Sequence, residues 1–394
     1  MNILHINVTY QYGSTGKIVN AIHQSLLQDN HQSLVAYGRH FKDDHENTYK
    51  IGNLLSYTLH GIDTRLFDRH GFSSIGATKK FIKDVDFSQF DVIHLHNVHG
   101  YYLNIDLLFD ELKRANRPVV WTLHDSWSYT GHCAFYVNAA CDKWKTGCNH
   151  CPEKGEYPKS IGLDQSERNY EDKKEIFNRL DRLTLVTPSL WLQNELKASY
   201  LSKYPVKHIL NGVDLSKFKP LKERQENEKF TILGVANIWE KRKGLDLFNK
   251  LAETLPDDYE IIIVGKIPSR ITKHPKIMHI HRTDSVEELA KIYSQADCFL
   301  NPTLDDNLPT TTIEAIACGT PVITFDTGGS AEIIDSSCGC VIDKSDFHAL
   351  LKAIETIKSQ GKAFYEDNAH QRSTLFDKKL MISNYMDLYK EITS

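Results

Sequence analysis

A chain of 394 residues exceeds one ordinary hydrophobic core and sets a starting expectation of two domains. Hydrophobic residues make up 41% and charged residues 25%, the balance of a globular rather than a disordered protein. Lys+Arg is 47 against Asp+Glu 51, a formal charge of -4, which argues against a dedicated nucleic-acid binder.

Met1 to Val8 reads as a first buried strand, and Gly16 to Gln28 carries helical spacing through Ile18, Ile22 and Leu26. Further strands are expected at Ser33 to Ala36, Val92 to Leu95, Val119 to Leu123 and Leu183 to Thr187. After a turn at Asn211-Gly212 and a charge-dense stretch from Lys217 to Lys229, the pattern restarts. Strands follow at Phe230 to Val235, Tyr259 to Val264, Ile277 to Ile280, Asp297 to Asn301 and Pro321 to Phe325, and a last helix at about 376–392. Apolar runs separated by helices indicate parallel sheets covered on both faces, with ligands at the strands' carboxyl ends. Two doubly wound domains joined near 205–228 are expected, without short repeats or low-complexity segments. No run approaches the roughly 20 apolar residues of a bilayer span, and the start lacks the pattern of a secretion signal. A cytoplasmic protein is expected, with peripheral membrane contact left open.

Candidate sites follow the strands. Tyr12-Gly13-Ser14-Thr15-Gly16-Lys17 fails as a P-loop because Ile18 follows the lysine and Gln11 stands where the first glycine belongs. It retains small residues that let backbone approach an anion at a helix start, weighed evenly against a plain tight turn. His94, His96 and His99 follow a strand, with a metal reading disfavoured against hydrogen-bonded core histidines. His124-Asp125 ends the next strand, where His124 suits hydrogen bonding or proton transfer and a structural cap is the alternative.

Cys133, Cys141, Cys148 and Cys151 crowd into one segment ending in a C-x2-C turn, as a structural zinc knuckle would, with unligated thiols as the rival reading. The other four cysteines lie far downstream, and none of the eight is expected in a disulfide in a reducing compartment.

Glu240-Lys241-Arg242-Lys243-Gly244 places cations ahead of a helix, suited to a diphosphate; a solvated charge run is the ordinary alternative. In Asn301 to Pro321, Pro309 is expected early in a short helix whose free amides face an anion, with Asp306 before it and Glu314 one turn inside.

Here the sequence resembles the retaining glycosyltransferases of the GT-B fold, specifically the family-four group. Asp306-x7-Glu314 is similar to their E-x7-E motif, followed by an EAIACGTPV run. Asn211-Gly212-Val213-Asp214, Arg242-Lys243-Gly244, Ala296-Asp297 and Gly328-Gly329 with Glu332 also match. The stretches DVIHLHNVH, TLHD and CDKWKTGCNHCP resemble a branch acting in exopolysaccharide or lipopolysaccharide assembly.

The resemblance implies an α/β protein with two Rossmann-like domains facing across a cleft, residues 1–205 with 376–394 crossing back, and 206–375. It implies a nucleotide-diphosphate sugar donor and a glycan or lipid-linked glycan acceptor, with no nucleic acid and no cofactor needed for catalysis. Glu314 would bind the ribose, Asp306 the sugar hydroxyls, and Arg242 and Lys243 the diphosphate. Leu308, Pro309, Thr310 and the loop of Gly13 and Gly16 would line the donor site, with His124 near the reacting centre. Asp306 is one methylene shorter than the usual Glu. Asn237 stands where many members carry Arg. The expected reaction is sugar transfer with retention, by front-face attack. The rivals are a nucleotide-sugar epimerase and a non-catalytic glycan-binding protein.

Overall fold

A computed structural model describes residues 1–39 and 46–394. The chain forms two compact units, Met1–Leu210 with Ile382–Ser394, and Asn211–Met381. The charge-dense stretch near 217–229 lies inside the second unit. There Arg224 pairs with Asp297, and the Asn227 side chain donates to the carbonyl of Gln295 at 3.0 Å.

The first unit carries β1 (Asn2–Thr9), β2 (Gln32–Arg39), β3 (Thr48–Lys50), β4 (Val92–Leu95), β5 (Val119–Thr122), β6 (Leu183–Thr187) and β7 (Val206–His208). They form one parallel sheet in the order β3-β2-β1-β4-β5-β6-β7. Helices α1 (Gly13–Gln28), α2 (Leu54–Phe67), α3 (Ile75–Asp84), α4 (Ile105–Ala115), α5 (Ser166–Phe177) and α6 (Leu190–Lys197) connect them. Strands β4, β5 and β6 are buried at every position, which explains their unbroken apolar runs. The order reverses between β1 and β4, the place where such sheets open a crevice at the carboxyl ends of their strands.

The second unit carries β8 (Phe230–Ile238), β9 (Tyr259–Lys266), β10 (Ile277–Ile280), β11 (Cys298–Asn301), β12 (Val322–Phe325) and β13 (Gly339–Ile342) in the order β10-β9-β8-β11-β12-β13, again parallel. Its connections include α7 (Leu245–Thr254), α8 (Val286–Gln295), α9 (Thr310–Ala317), α10 (Phe347–Gln360) and α11 (Ala363–Ser373). The switch point here lies between β8 and β11. The closing helix α12 (Lys378–Thr393) begins in the second unit, and its last residues belong to the first. Tyr385 and Tyr389 are buried there, against Thr122 at 2.9 Å and His94 at 2.6 Å.

Several bounds differ from the sequence reading. Helix α1 starts at Gly13 rather than Gly16, so the glycine loop becomes the first turn of the helix. Helix α2 is inverted relative to an ordinary surface helix: Leu55, Leu59, Ile62 and Leu66 share one face and are exposed.

Candidate functional site

In the second unit, the residues singled out from the sequence converge at the carboxyl ends of β8 and β11. After β8 the chain makes a short 3-10 turn, Lys241–Lys243, before α7. The Arg242 carbonyl accepts from the Leu304 amide at 2.7 Å, joining this turn to the segment after β11. Lys243 donates to Asp306 Oδ2, with Arg242 Nη1 3.6 Å from the same oxygen and 3.1 Å from the Asp305 carbonyl. Asp306 Oδ1 accepts from the Asn307 amide at 3.0 Å.

Burial alone would raise the Asp306 pKa, but the charges of Lys243 and Arg242 and these hydrogen bonds outweigh it and hold the carboxylate below its usual range. Burial lowers the Lys243 pKa, opposed by Asp306 and reinforced by Arg242. Both oxygens of Asp306 are therefore engaged with the cations and backbone of its own site.

The loop is braced from behind. Gly328 has φ +56, and a Cβ there would stand 1.9 Å from the Asp306 carbonyl. The Gly329 amide donates to that same carbonyl at 3.3 Å. Helix α9 then starts at Thr310, with Pro309 at the N-cap, one place earlier than expected. No side chain caps it, so its first-turn amides point towards the loop of Asp306 to Leu308. Asn211 donates to the Leu308 carbonyl at 3.4 Å.

Glu314 lies within α9 and is 9% exposed, so it is not a solvated helical carboxylate. Tyr293 of α8, itself fully buried, donates to Glu314 Oε2 at 3.0 Å. The sequence reading missed Tyr293, although the motif at Ala296-Asp297 lies just beyond it.

In the first unit, Gly13 takes φ +69 with open space where a Cβ would stand. Gly16 faces inward: a Cβ there would meet Thr9 Oγ1 at 2.9 Å. The missing side chain lets α1 pack closely on the end of β1.

His124 follows β5 and is partly exposed, with Nε2 3.2 Å from His96 Nδ1 and the two rings stacked 12° apart. Burial brings its pKa down to about 4, despite the opposing charge of Asp125, so the imidazole is neutral at pH 7. Asp125 pairs with His99 Nε2 at 2.9 Å and accepts from the Trp127 amide at 3.0 Å. His94 is held between Tyr389 and Thr122.

Among the described residues, His5, His94 and His96 form a group whose ligand atoms lie within 4.8 Å of one another. Cys133 belongs to the core, with Cys141, Cys148 and Cys151 packed against it, all as free thiols.

Residues 16–217 match Glycosyltransferase Family 4 and residues 229–360 match Glycosyl transferases group 1. WcaC of Escherichia coli K12, a glycosyl transferase assigned to colanic acid biosynthesis, is 26% identical, with 100% of each chain covered. The O-antigen chain mannosyltransferase RfbU of Salmonella typhimurium is 24% identical over 51% of this chain and 59% of its own.

Among solved structures, sucrose-phosphate synthase of Thermosynechococcus elongatus superposes with a TM-score of 0.74 at 17% identity, over 99% of this chain and 98% of that one. HepE of Anabaena, solved with UDP-glucose, gives 0.66 at 15% identity, over 99% and 100%. The fold is therefore that of GT-B glycosyltransferases. No described helix is long and apolar enough to cross a membrane. The chain belongs to glycosyltransferase family 4.

Proposed function

We propose that this glycosyltransferase moves a hexosyl group from a nucleotide-diphosphate sugar to a glycan or lipid-linked glycan in surface polysaccharide synthesis, with retention of anomeric configuration. The observation that carries the reading is the convergence of Arg242, Lys243 and the uncapped start of α9 on one strand-end site, with Glu314 inside α9 bonded to Tyr293 of α8. The assignments of WcaC and RfbU support the polysaccharide role, and the UDP-glucose bound by HepE supports the donor class.

In this reading the bond between the anomeric carbon and the diphosphate breaks while the acceptor hydroxyl attacks from the same face. The hydroxyl proton passes to the departing phosphate oxygen. Arg242, Lys243 and the first amides of α9, next to Leu308, Pro309 and Thr310, compensate the charge that grows on the diphosphate. Glu314, held by Tyr293, takes the ribose hydroxyls. Asp306 fixes the two cations and contributes to sugar binding. His124, neutral and oriented by His96, acts as a hydrogen-bonding catalytic group, and Gly13 belongs to the donor-binding backbone.

Arg242→Ala and Glu314→Gln are each expected to lower kcat/KM by roughly 10²- to 10³-fold. The measurement is transfer from a panel of nucleotide sugars, with the anomer of the product read by NMR. Full activity in both variants would remove the site assignment, and an inverted product would remove the stereochemical one.

A peripheral contact with an anionic membrane surface is part of this proposal. The apolar face of α2 continues into exposed Ile161 and Leu163, with Arg65, Lys154 and Lys159 beside it. Leu55→Ser with Leu59→Ser is expected to lower co-sedimentation with vesicles rich in anionic lipid by at least threefold. Unchanged sedimentation would exclude this face.

A further inference from the structure

We propose that Lys362 is a positioning residue for the donor site: it fixes the last turn of α8 and, through that turn, Tyr293 and the Glu314 carboxylate. The inference rests on the proposed placement of Glu314 at the ribose, and it names the group that holds this placement from behind.

A helix ends with carbonyls that have no partner inside the helix, and a buried end needs donors from elsewhere. The last turn of α8 is such an end: Tyr293, Ser294 and Ala296 are all buried. Side chains from distant parts of the chain meet its carbonyls. The Thr320 hydroxyl donates to the Tyr293 carbonyl at 2.6 Å. Arg224 Nε and the Asn227 side chain donate to the Gln295 carbonyl at 3.3 and 3.0 Å. Lys362 Nζ donates to the carbonyls of Ser294 and, at 3.0 Å, Ala296, and also to Thr320 Oγ1 at 2.9 Å.

Lys362 stands at the N-cap of α11 and is 4% exposed. An ammonium carries three N–H donors and no acceptor, so these three bonds satisfy it. Each of them leads to Tyr293: to its neighbour Ser294, to the residue that ends α8, and to the hydroxyl that holds its carbonyl. A cation at this place also meets the negative end of the helix dipole. Burial brings the Lys362 pKa down to about 7, reinforced by Arg224 and opposed by Glu366, Cys318 and Asp297, so the ammonium is the major form below that pH.

Helix α11 also reaches the other half of the pair. His370 Nδ1 donates to the carbonyl of Ala317, the last residue of α9, at 2.8 Å. Just beyond, Gly319 has φ +71, and a Cβ there would stand 2.6 Å from Glu366 Cγ of α11. One helix therefore seats against the ends of both α8 and α9, and the Tyr293–Glu314 bond runs between those two. Lys362 acts on the ribose end of the site, while the diphosphate end belongs to the Lys241–Lys243 turn.

The test measures, by calorimetric titration of the full chain at pH 6.5, the affinity for UDP, ADP and GDP and for their 2′,3′-dideoxy counterparts. The wild-type chain is expected to prefer the ribonucleotide form. Lys362→Met, which keeps a long apolar stem, is expected to cut that preference about fivefold, the worth of one net hydrogen bond, and to leave the dideoxy affinity within about twofold. In a Tyr293→Phe background, which already lacks the bond, Lys362→Met should cut it by less than about twofold more. A preference that Lys362→Met leaves intact, or that falls in full again in the Tyr293→Phe background, overturns the positioning role and leaves the ribose placement standing. A wild-type chain that binds neither form, or both alike, overturns the ribose placement and this inference with it. Should Lys362→Met fail to fold, Thr320→Val decides, since it removes the hydroxyl between Lys362 and the Tyr293 carbonyl: an unchanged preference overturns the proposal, and the same loss supports it.

Discussion

The Asp306 carboxylate is engaged within its own site. The shorter carboxylate reaches Lys243 and the Asn307 amide, so it holds the cations that the diphosphate is proposed to meet. Glu314 keeps a separate place inside α9, and Tyr293, from another helix, donates to its Oε2. Tyr293→Phe removes that donor and little volume. A net hydrogen bond is worth about 1 kcal/mol, so the donor KM is expected to rise about fivefold. With Glu314 on the ribose and not at the reacting centre, kcat should stay within twofold. Steady-state kinetics on the purified variant separate the two constants, and a fall in kcat with unchanged KM would remove Glu314 from ribose binding.

At the scale of elements, the loop before α9 is held by a glycine pair that arrives from the far end of β12. Gly328→Ala adds a Cβ at positive φ, which costs about 1–2 kcal/mol, and places it against the Asp306 carbonyl. Gly361 also has positive φ but open space at its Cβ position, so Gly361→Ala carries the backbone cost alone. Gly328→Ala should therefore lose more melting temperature than Gly361→Ala, and only Gly328→Ala should weaken donor binding. Equal effects of the two on affinity would mean that the brace does not shape the site.

Strands buried on both faces announced themselves. Val92–Leu95 and Leu183–Thr187 were legible to the residue because their apolar runs stop at polar neighbours. The missed strands β3, β7 and β13 are three or four residues long, and each lies at the edge of its sheet, where partly exposed positions break the apolar run. Helix α2 escaped because its apolar face looks outward. The carboxylates and cations of the second unit were legible as a group. Their wiring was not, since Lys243 to Asp306 and Tyr293 to Glu314 are pairings between elements. The same holds for Asp125, whose partner is His99 and not the adjacent His124.

At the scale of the whole molecule, the two units differ in how they carry histidine. His5, His60, His70, His94 and His96 are all buried in the first unit, while no histidine of the second unit is buried. Burial brings the pKa of His5 and of His60 down to about 3, and those of His70, His94 and His96 well below the ordinary value of 6.5.

Unfolding returns each imidazole to its ordinary pKa, so below about pH 6.5 the unfolded chain binds protons that the folded unit refuses. The stability these groups contribute is complete above pH 6.5 and is lost as pH falls towards the folded pKa, at about 1.4 kcal/mol per imidazole per pH unit. Calorimetric scans from pH 7.5 to 5 should therefore show one transition falling steeply and one nearly fixed. Four of the five tryptophans lie in the first unit, so fluorescence should follow the steep transition. His5→Asn keeps a polar group in the same place. It should flatten the steep transition by about one imidazole's share, and an unaltered slope would mean that His5 does not enter the folded unit as a neutral ring.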